Sequence, residues 1–251
     1  MTNIILRGCN GKMGRVVTRM IEEEENAAIV AGVDVSVGRN DQYPVYYSFS
    51  QCNVPSDVII DFSAPVNVRE MLDYAILSGI GIVLCTTGFA KEDLQLIEEA
   101  SKRIPILKSA NMSMGINLLL KLVKEVAKVL TDSGFDIEIV EKHHNKKVDA
   151  PSGTALALAE SINEALNHQY EYVYDRTDIR APRAKNEIGL SSVRGGTIVG
   201  EHDIIFAGSD EVVEIRHTAY SKDIFAKGAI QAAKFLAGKA PGMYTMKDVI
   251  G

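Results

Sequence analysis

Residues 3–17 read NIILRGCNGKMGRVV, and the fold class follows from this stretch. Ile4, Ile5 and Leu6 make a run too short for a helix and apolar enough for a buried strand. Gly8, Gly11 and Gly14 follow it in G-x-x-G-x-x-G spacing, a departure from the commoner G-x-G-x-x-G. KMGRVVTRMIEEEE then reads as a helix. Glycines between a strand and a helix permit a tight turn and a close approach of backbone to a pyrophosphate. The helix start adds outward N–H groups and the positive end of a dipole. The next strand, AAIVAGVD, ends at Asp34, about 20 positions after Gly14, where an acid reaches the adenosine ribose hydroxyls. A plain β–α turn also uses glycine for packing. The strand, the helix and the acid together favour a dinucleotide site at Gly8, Asn10, Gly11, Lys12, Met13 and Asp34.

Downstream the alternation continues. DVIIDFS is a strand, and APVNVREMLDYAILSG is a helix with Ser63 as its expected N-cap, Pro65 in its first turn and Gly79 near its end. IGIVLCTTG, KEDLQLIEEASKR and IPILKSA extend the pattern as strand, helix and strand. Residues 36–56 read as a loop carrying at most a short strand. Alternating β and α with apolar strands predicts an α/β fold: a Rossmann-like, doubly wound parallel sheet covered on both faces. Its strand ends supply further cofactor-binding candidates: Phe62, then Cys85, Thr86 and Thr87, then Ser109, Ala110, Asn111 and Met112.

After residue 112 the pattern changes. GINLLLKLVKEVAKVL has helical spacing, and FDIEIVEKHH alternates as a half-buried strand does. A helix over 152–167 follows. Then IGLSSVRGG, HDIIFAG and EVVEIRHTAY read as consecutive strands. Strands without intervening helices predict a second, α+β domain with a mixed sheet. The last helix, KDIFAKGAIQAAKFLAG, fits either domain by pattern alone.

The net charge of −6 argues against a nucleic-acid or membrane-surface partner, so any anion site is local. No stretch approaches the ~18 uncharged apolar residues of a membrane span. The opening MTNIILRGCNGKMGR lacks a basic lead, so no signal peptide is expected. Cys9, Cys52 and Cys85 show no C-x-x-C spacing. Neither a disulfide framework nor a cysteine zinc site is expected, and a cytoplasmic setting fits.

Against that acidic background, Glu141 to Leu156 read EKHHNKKVDAPSGTAL. Two histidines and three lysines precede Ser152, Gly153 and Thr154 at a predicted helix start, where outward N–H groups and hydroxyls make an anion site. A small carboxylate or dicarboxylate ligand suits this chemistry. Histidine titrates near neutral pH and can serve as acid or base there. A metal is disfavoured: adjacent strand histidines point to opposite faces, and no third ligand sits at a suitable spacing.

The segment closely resembles the signature of the dihydrodipicolinate reductase family, E-x-H-H-x-x-K-x-D-A-P-S-G-T-A. GCNGKMGR, DFSAP, CTTGF, SANMSMGINLL and IFAKGA resemble further family blocks in the same order. The resemblance implies a Rossmann-like domain over 1–112, rejoined by 220–251. A substrate and oligomerisation domain over 113–219 builds a homotetramer. It implies reduction of 4-hydroxy-tetrahydrodipicolinate with NADH or NADPH and loss of water, on the route to diaminopimelate and lysine. Carried onto this chain, His143 is the proton donor/acceptor and Lys147 a proton donor. His144, Ser152, Gly153 and Thr154 hold the substrate. The chain departs from the family at Lys12 and at Ser221-Lys222, where arginine is frequent; lysine keeps the charge and loses the two-pronged fork. A carboxylate at Asp34 repels a 2′-phosphate, with Lys12 and Arg39 as the compensating cations, so NADH is expected to serve at least as well as NADPH. Related two-domain amino- or imino-acid dehydrogenases and a silent nucleotide sensor are the competing readings.

Overall fold

The computed structural model describes residues 1–36 and 42–251, and the chain divides into two compact units. Met1–Met114 and Asp223–Gly251 form the first, and Gly115–Lys222 the second.

The first unit is built on a seven-stranded sheet. Its strands are β1 (Thr2–Arg7), β2 (Ala27–Val33), β3 (Val45–Tyr46), β4 (Val58–Asp61), β5 (Gly81–Leu84), β6 (Pro105–Lys108) and β12 (Gly242–Tyr244), in the spatial order β12-β6-β5-β4-β1-β2-β3. Every pairing is parallel. Alternation along β1 explains the double cover. Ile4 and Leu6 pack with helices α1 (Lys12–Ile21) and α6 (Asp223–Leu236). Ile5 faces the opposite way, into a core completed by α2 (Val68–Ser78) and α3 (Lys91–Ser101). The last helix, which pattern alone left unassigned, therefore belongs to the first unit. Its small residues allow it to lie close: a Cβ on Gly228 would stand 1.7 Å from the Met112 carbonyl oxygen.

Two details differ from the sequence expectation. Helix α2 begins at Val68 and is preceded by Asn67 in the left-handed region (φ 52°), so Ser63 is not its cap and Pro65 lies outside its first turn. The Ser63 hydroxyl is already committed to the Asp61 carboxylate at 2.6 Å, four residues upstream of that cap. Gly79 ends the helix as expected, at φ 68°. Strand β12 and the closing helix α7 (Met246–Ile250) were not foreseen, because three residues are too few to show a period.

The second unit contains α4 (Met114–Asp132), of which Met114 itself is counted with the first unit, and β7 (Asp136–His143), α5 (Gly153–Ala165), β8 (Glu171–Val173), β9 (Glu187–Arg194), β10 (Gly200–Ala207) and β11 (Val212–Ala219). The sheet order is β11-β10-β7-β9-β8. β7 pairs parallel with β9 and antiparallel with β10, so the sheet is mixed. Ile137 and Ile139 of β7, Ile188 and Leu190 of β9, and Ile204 and Phe206 of β10 bury one face against α4 and α5. The other face carries paired charges such as Lys142 with Asp203 and Arg183 with Glu138. Among the described residues no helix is long and apolar enough to cross a membrane.

Candidate active site

In the first unit the chain runs outward from β1 through β2 to β3, then returns to β4 on the other side of β1. That reversal opens a crevice at the carboxyl ends of β1 and β4. A cleft of about 450 Å³ lies there, lined by Gly8, Asn10, Gly11, Asp34, Phe62 and Arg15 among others. Two glycines are dictated by close backbone approach. Gly8 has φ +78°, and a Cβ on it would stand 2.7 Å from the Phe62 carbonyl oxygen; a Cβ on Gly14 would stand 2.2 Å from the Gly8 oxygen. Asp34 folds back over the turn: Asn10 N–H donates to Oδ2 at 3.0 Å and Ser36 N–H to Oδ1 at 2.9 Å. Each carboxylate oxygen retains a second lone pair, which suits ribose hydroxyls. A glycine-rich turn, a helix start and an acid at the rim fit a dinucleotide.

Beneath the cleft, Arg7 and Asp61 form a buried ion pair at 3.5 Å. The Asp61 carboxylate also receives Ser63 N–H at 3.1 Å, and Thr86 Oγ1 donates to the Ser63 carbonyl at 3.0 Å. Thr86 is thus buried and fastens the β5 loop to the β4 loop. Met13 and Cys85 pack against the core rather than standing clear of it, and Met112 is buried within it. Burial, then the Asp61 charge, pushes the Cys85 thiol well up, so it stays protonated. Asn111 accepts Ser113 N–H at 2.8 Å and shapes its own turn. Lys12, Thr87 and Ala110 are exposed, and Ser109 is half-buried. Arg39 lies outside the described residues. Arg15, four positions after Gly11 and so on the same helix face, is a cleft cation that the sequence reading passed over.

The second site begins where the apolar face of the mixed sheet ends. Ile137, Ile139, Glu141 and His143 share one face of β7 by alternation, so a carboxylate and an imidazole continue the row of core residues. Glu141 is 1 % exposed. A carboxylate there needs partners, and register brings them: β9 sets Arg194 beside His143, and β10 sets His202 beside Glu141. Arg194 grips both Glu141 oxygens, Nη1 to Oε2 at 2.8 Å and Nη2 to Oε1 at 2.7 Å. Ser152 N–H donates to Oε1 at 3.0 Å, and His143 Nδ1 lies 2.6 Å from Oε2. Burial alone would raise the Glu141 carboxyl; hydrogen bonds from Arg194, Ser192, His143 and the Ser152 backbone outweigh it and hold it at about 2. His143 is further confined by His202, edge-on at 5.2 Å between ring centroids. Its Nε2 is the atom nearest Gly200, 3.0 Å from where a Cβ would stand. His202 is buried and held neutral: burial, then His143 and His217, lower it to about 4.

The basic run divides. Lys142 faces away, bound to Asp203 at 2.9 Å and Glu201 at 3.1 Å, so it does not join the anion site. Lys147 is half-buried and paired with Asp149 at 2.8 Å. His144 is half-buried, and its Nδ1 is buried without a hydrogen-bond partner. Ser152 departs from expectation. It is the N-cap of α5, and it is buried, not outward-facing. Its hydroxyl accepts from Ala155 N–H at 3.2 Å and bonds His202 Nε2 at 3.1 Å. The outward part of the helix start is Gly153, above which the next 4 Å are open, and the neighbouring Thr154. Glu141, Arg194 and His202 were passed over in the sequence. Only the glutamate lies within the quoted motif; the other two arrive through strand pairing.

The comparisons with known proteins agree across the chain. Residues 2–112 match the family described as "Dihydrodipicolinate reductase, N-terminus" and residues 115–250 the one described as "Dihydrodipicolinate reductase, C-terminus". A 4-hydroxy-tetrahydrodipicolinate reductase of Caldanaerobacter subterraneus subsp. tengcongensis is 52 % identical over 250 residues, covering 100 % of this chain and 98 % of the relative. One from Clostridium tetani is 50 % identical over 246 residues, covering 98 % and 96 %. A solved structure of dipicolinate-bound dihydrodipicolinate reductase from Paenisporosarcina sp. TG-14 superposes with a TM-score of 0.83 at 24 % identity, covering both chains fully, and supports the fold.

Proposed function

The chain belongs to the dihydrodipicolinate reductase family, and on that premise we propose how its residues divide the work. It reduces 4-hydroxy-tetrahydrodipicolinate to tetrahydrodipicolinate in diaminopimelate and lysine biosynthesis. NADH or NADPH supplies the hydride when bound. In our reading the first unit holds the nucleotide: the turn at Gly8, Asn10 and Gly11 takes the pyrophosphate and Asp34 the ribose. In the second unit Gly153 and Thr154, at the positive end of α5, receive one substrate carboxylate with His144 beside them. His143 exchanges the proton, and Lys147 supplies positive charge and a second proton. The observation that carries this reading is the His143 ring, oriented by a buried, ionised Glu141 at 2.6 Å beside that helix start. A homotetramer and a cytoplasmic setting complete the proposal; the three free cysteines suit a reducing compartment.

The test is a coupled assay containing pyruvate, aspartate semialdehyde and the upstream synthase, followed by loss of reduced-nicotinamide absorbance. Turnover that depends on the synthase supports the reductase. Turnover with amino acids instead would favour a related dehydrogenase, and nucleotide binding without turnover a sensor. On cofactor choice, Asp34 favours NADH, and Arg15 at the same cleft offers a cation to a 2′-phosphate. NADH is expected to serve at least as well as NADPH, measured as kcat/KM for each at physiological salt. A strong NADPH preference would reverse the expectation and point to Arg15, Lys12 or Arg39.

A further inference from the structure

We propose that Glu141 is the positioning residue of the reaction: clamped by Arg194, it holds His143 with its proton on Nδ1, so that Nε2 is the ring position that exchanges a proton with substrate. This rests on His143 being the proton donor. The geometry supports it from three sides. The Nδ1–Oε2 separation is 2.6 Å, and Glu141 is almost wholly buried, so the contact is not shared with bulk water. The carboxylate cannot swing away, because both of its oxygens are bound by Arg194 and one also by Ser152 N–H. Arg194 in turn donates to the Asp149 carbonyl at 2.6 Å, so the same guanidinium fastens the loop that leads into α5. One network therefore sets the proton position and the approach to the carboxylate-binding helix start. An ionised carboxylate only accepts, so a neutral His143 must donate from Nδ1 and keep its lone pair on Nε2. The charged and titratable groups around the pair are Arg194 on β9, His202 on β10, His217 on β11, and Lys147 and Asp149 in the loop.

Glu141→Gln tests this sharply. Oε1 faces two donors that cannot become acceptors, Arg194 Nη2 and the Ser152 N–H, whereas Oε2 faces one, Arg194 Nη1, beside an imidazole that can accept. The amide oxygen of the variant therefore settles at the Oε1 position and its NH2 turns toward His143, at the cost of the Arg194 Nη1 bond. That donor takes the Nδ1 lone pair and moves the ring proton to Nε2. Protonating the ring would then set Nδ1–H against another donor, and Nε2 would stop cycling. The tautomer is read by long-range 1H–15N correlation on histidine-labelled enzyme, with His143 assigned from the spectrum of His143→Gln. Wild type is expected to show Nδ1–H, and Glu141→Gln to show Nε2–H. Its kcat should fall on the order of 10- to 10³-fold, its KM should move less, and Glu141→Asp should recover part of the turnover. An Nε2–H ring in wild type overturns the proposal without any variant. So does an unmoved tautomer in folded Glu141→Gln. A tautomer that moves while turnover stays at the wild-type level overturns the assignment of His143 as proton donor, and with it the catalytic role given to Glu141; loss of all activity in wild type would instead strike the reductase reading itself.

Discussion

The two sites are built from opposite materials. The nucleotide cleft is made mainly of backbone: a glycine-rich turn, a helix start, and one acid that accepts the Asn10 N–H of the turn and the Ser36 N–H of its own loop. The second site is made of side chains from three strands, Glu141 and His143 on β7, Arg194 on β9 and His202 on β10, meeting where an apolar sheet face ends. A backbone site is sensitive to added atoms and indifferent to most charges. A side-chain network is sensitive to lost or moved protons and, at its open edge, tolerant of added atoms. Each of the following changes breaks or sharpens that contrast.

The largest effect is expected at Gly14. A Cβ there would stand 2.2 Å from the Gly8 oxygen and 2.6 Å from Cys9 backbone atoms. These are backbone atoms and cannot swing aside as a side chain could, so Gly14→Ala should destabilise the first unit by about 3 kcal/mol or more and weaken NADH binding with it. A thermal midpoint and NADH affinity matching wild type would show that the turn is not packed as described.

Next comes Lys147→Ala. Removing a charged donor from a half-buried site should lower kcat/KM by roughly 10- to 100-fold, the scale of a charge-assisted hydrogen bond. NADH affinity should hold. An unaltered kcat/KM removes Lys147 from the site.

Acid should strike the second unit through His202. Its folded pKa, about 4, lies below the ordinary 6.5. The unfolded chain therefore binds more protons between those values, and stability falls as pH drops through that window. The loss is on the order of 2 kcal/mol. His202→Gln should flatten the thermal midpoint between pH 6.5 and 5.5, above the range in which Glu141 begins to contribute, since an unfolded glutamate starts to bind protons about a unit above its ordinary 4.5. A midpoint equally steep in the variant would assign the slope to other groups.

The smallest stability change is expected at Gly153, the counterpart of Gly14. Nothing lies within 4 Å of a Cβ there, so Gly153→Ala should shift stability by less than about 0.5 kcal/mol. The methyl would occupy the space given to the substrate carboxylate, and substrate KM should rise while NADH affinity holds. A large loss of stability with unchanged KM would invert the contrast.

The same contrast explains what the sequence made legible. Gly8, Gly11, Gly14 and Asp34 could be read because a backbone site is written in one contiguous strand–turn–helix. His143, Lys147, Gly153 and Thr154 could be singled out because one loop carries them. Arg194 and His202 gave no local signal; pairing across the mixed sheet brings them in from 50 or more residues away. Ser152 looked like an outward ligand because a hydroxyl at a helix start serves a cap and an anion equally well; the buried His202 beside it decides for the cap. Lys142 looked like a ligand cation until β10 supplied Asp203 on the other face. Short edge strands such as β8 and β12 are too brief to carry a period.

The division of labour is tested most directly by His143→Gln, with NADH affinity and turnover measured on one preparation. General acid–base groups contribute on the order of 10² to 10⁴ in rate. The account predicts kcat lower by on the order of 100-fold or more, with the dissociation constant for NADH as in wild type. Turnover at the wild-type level in the folded variant, or a loss of activity matched by a loss of NADH binding, would contradict it.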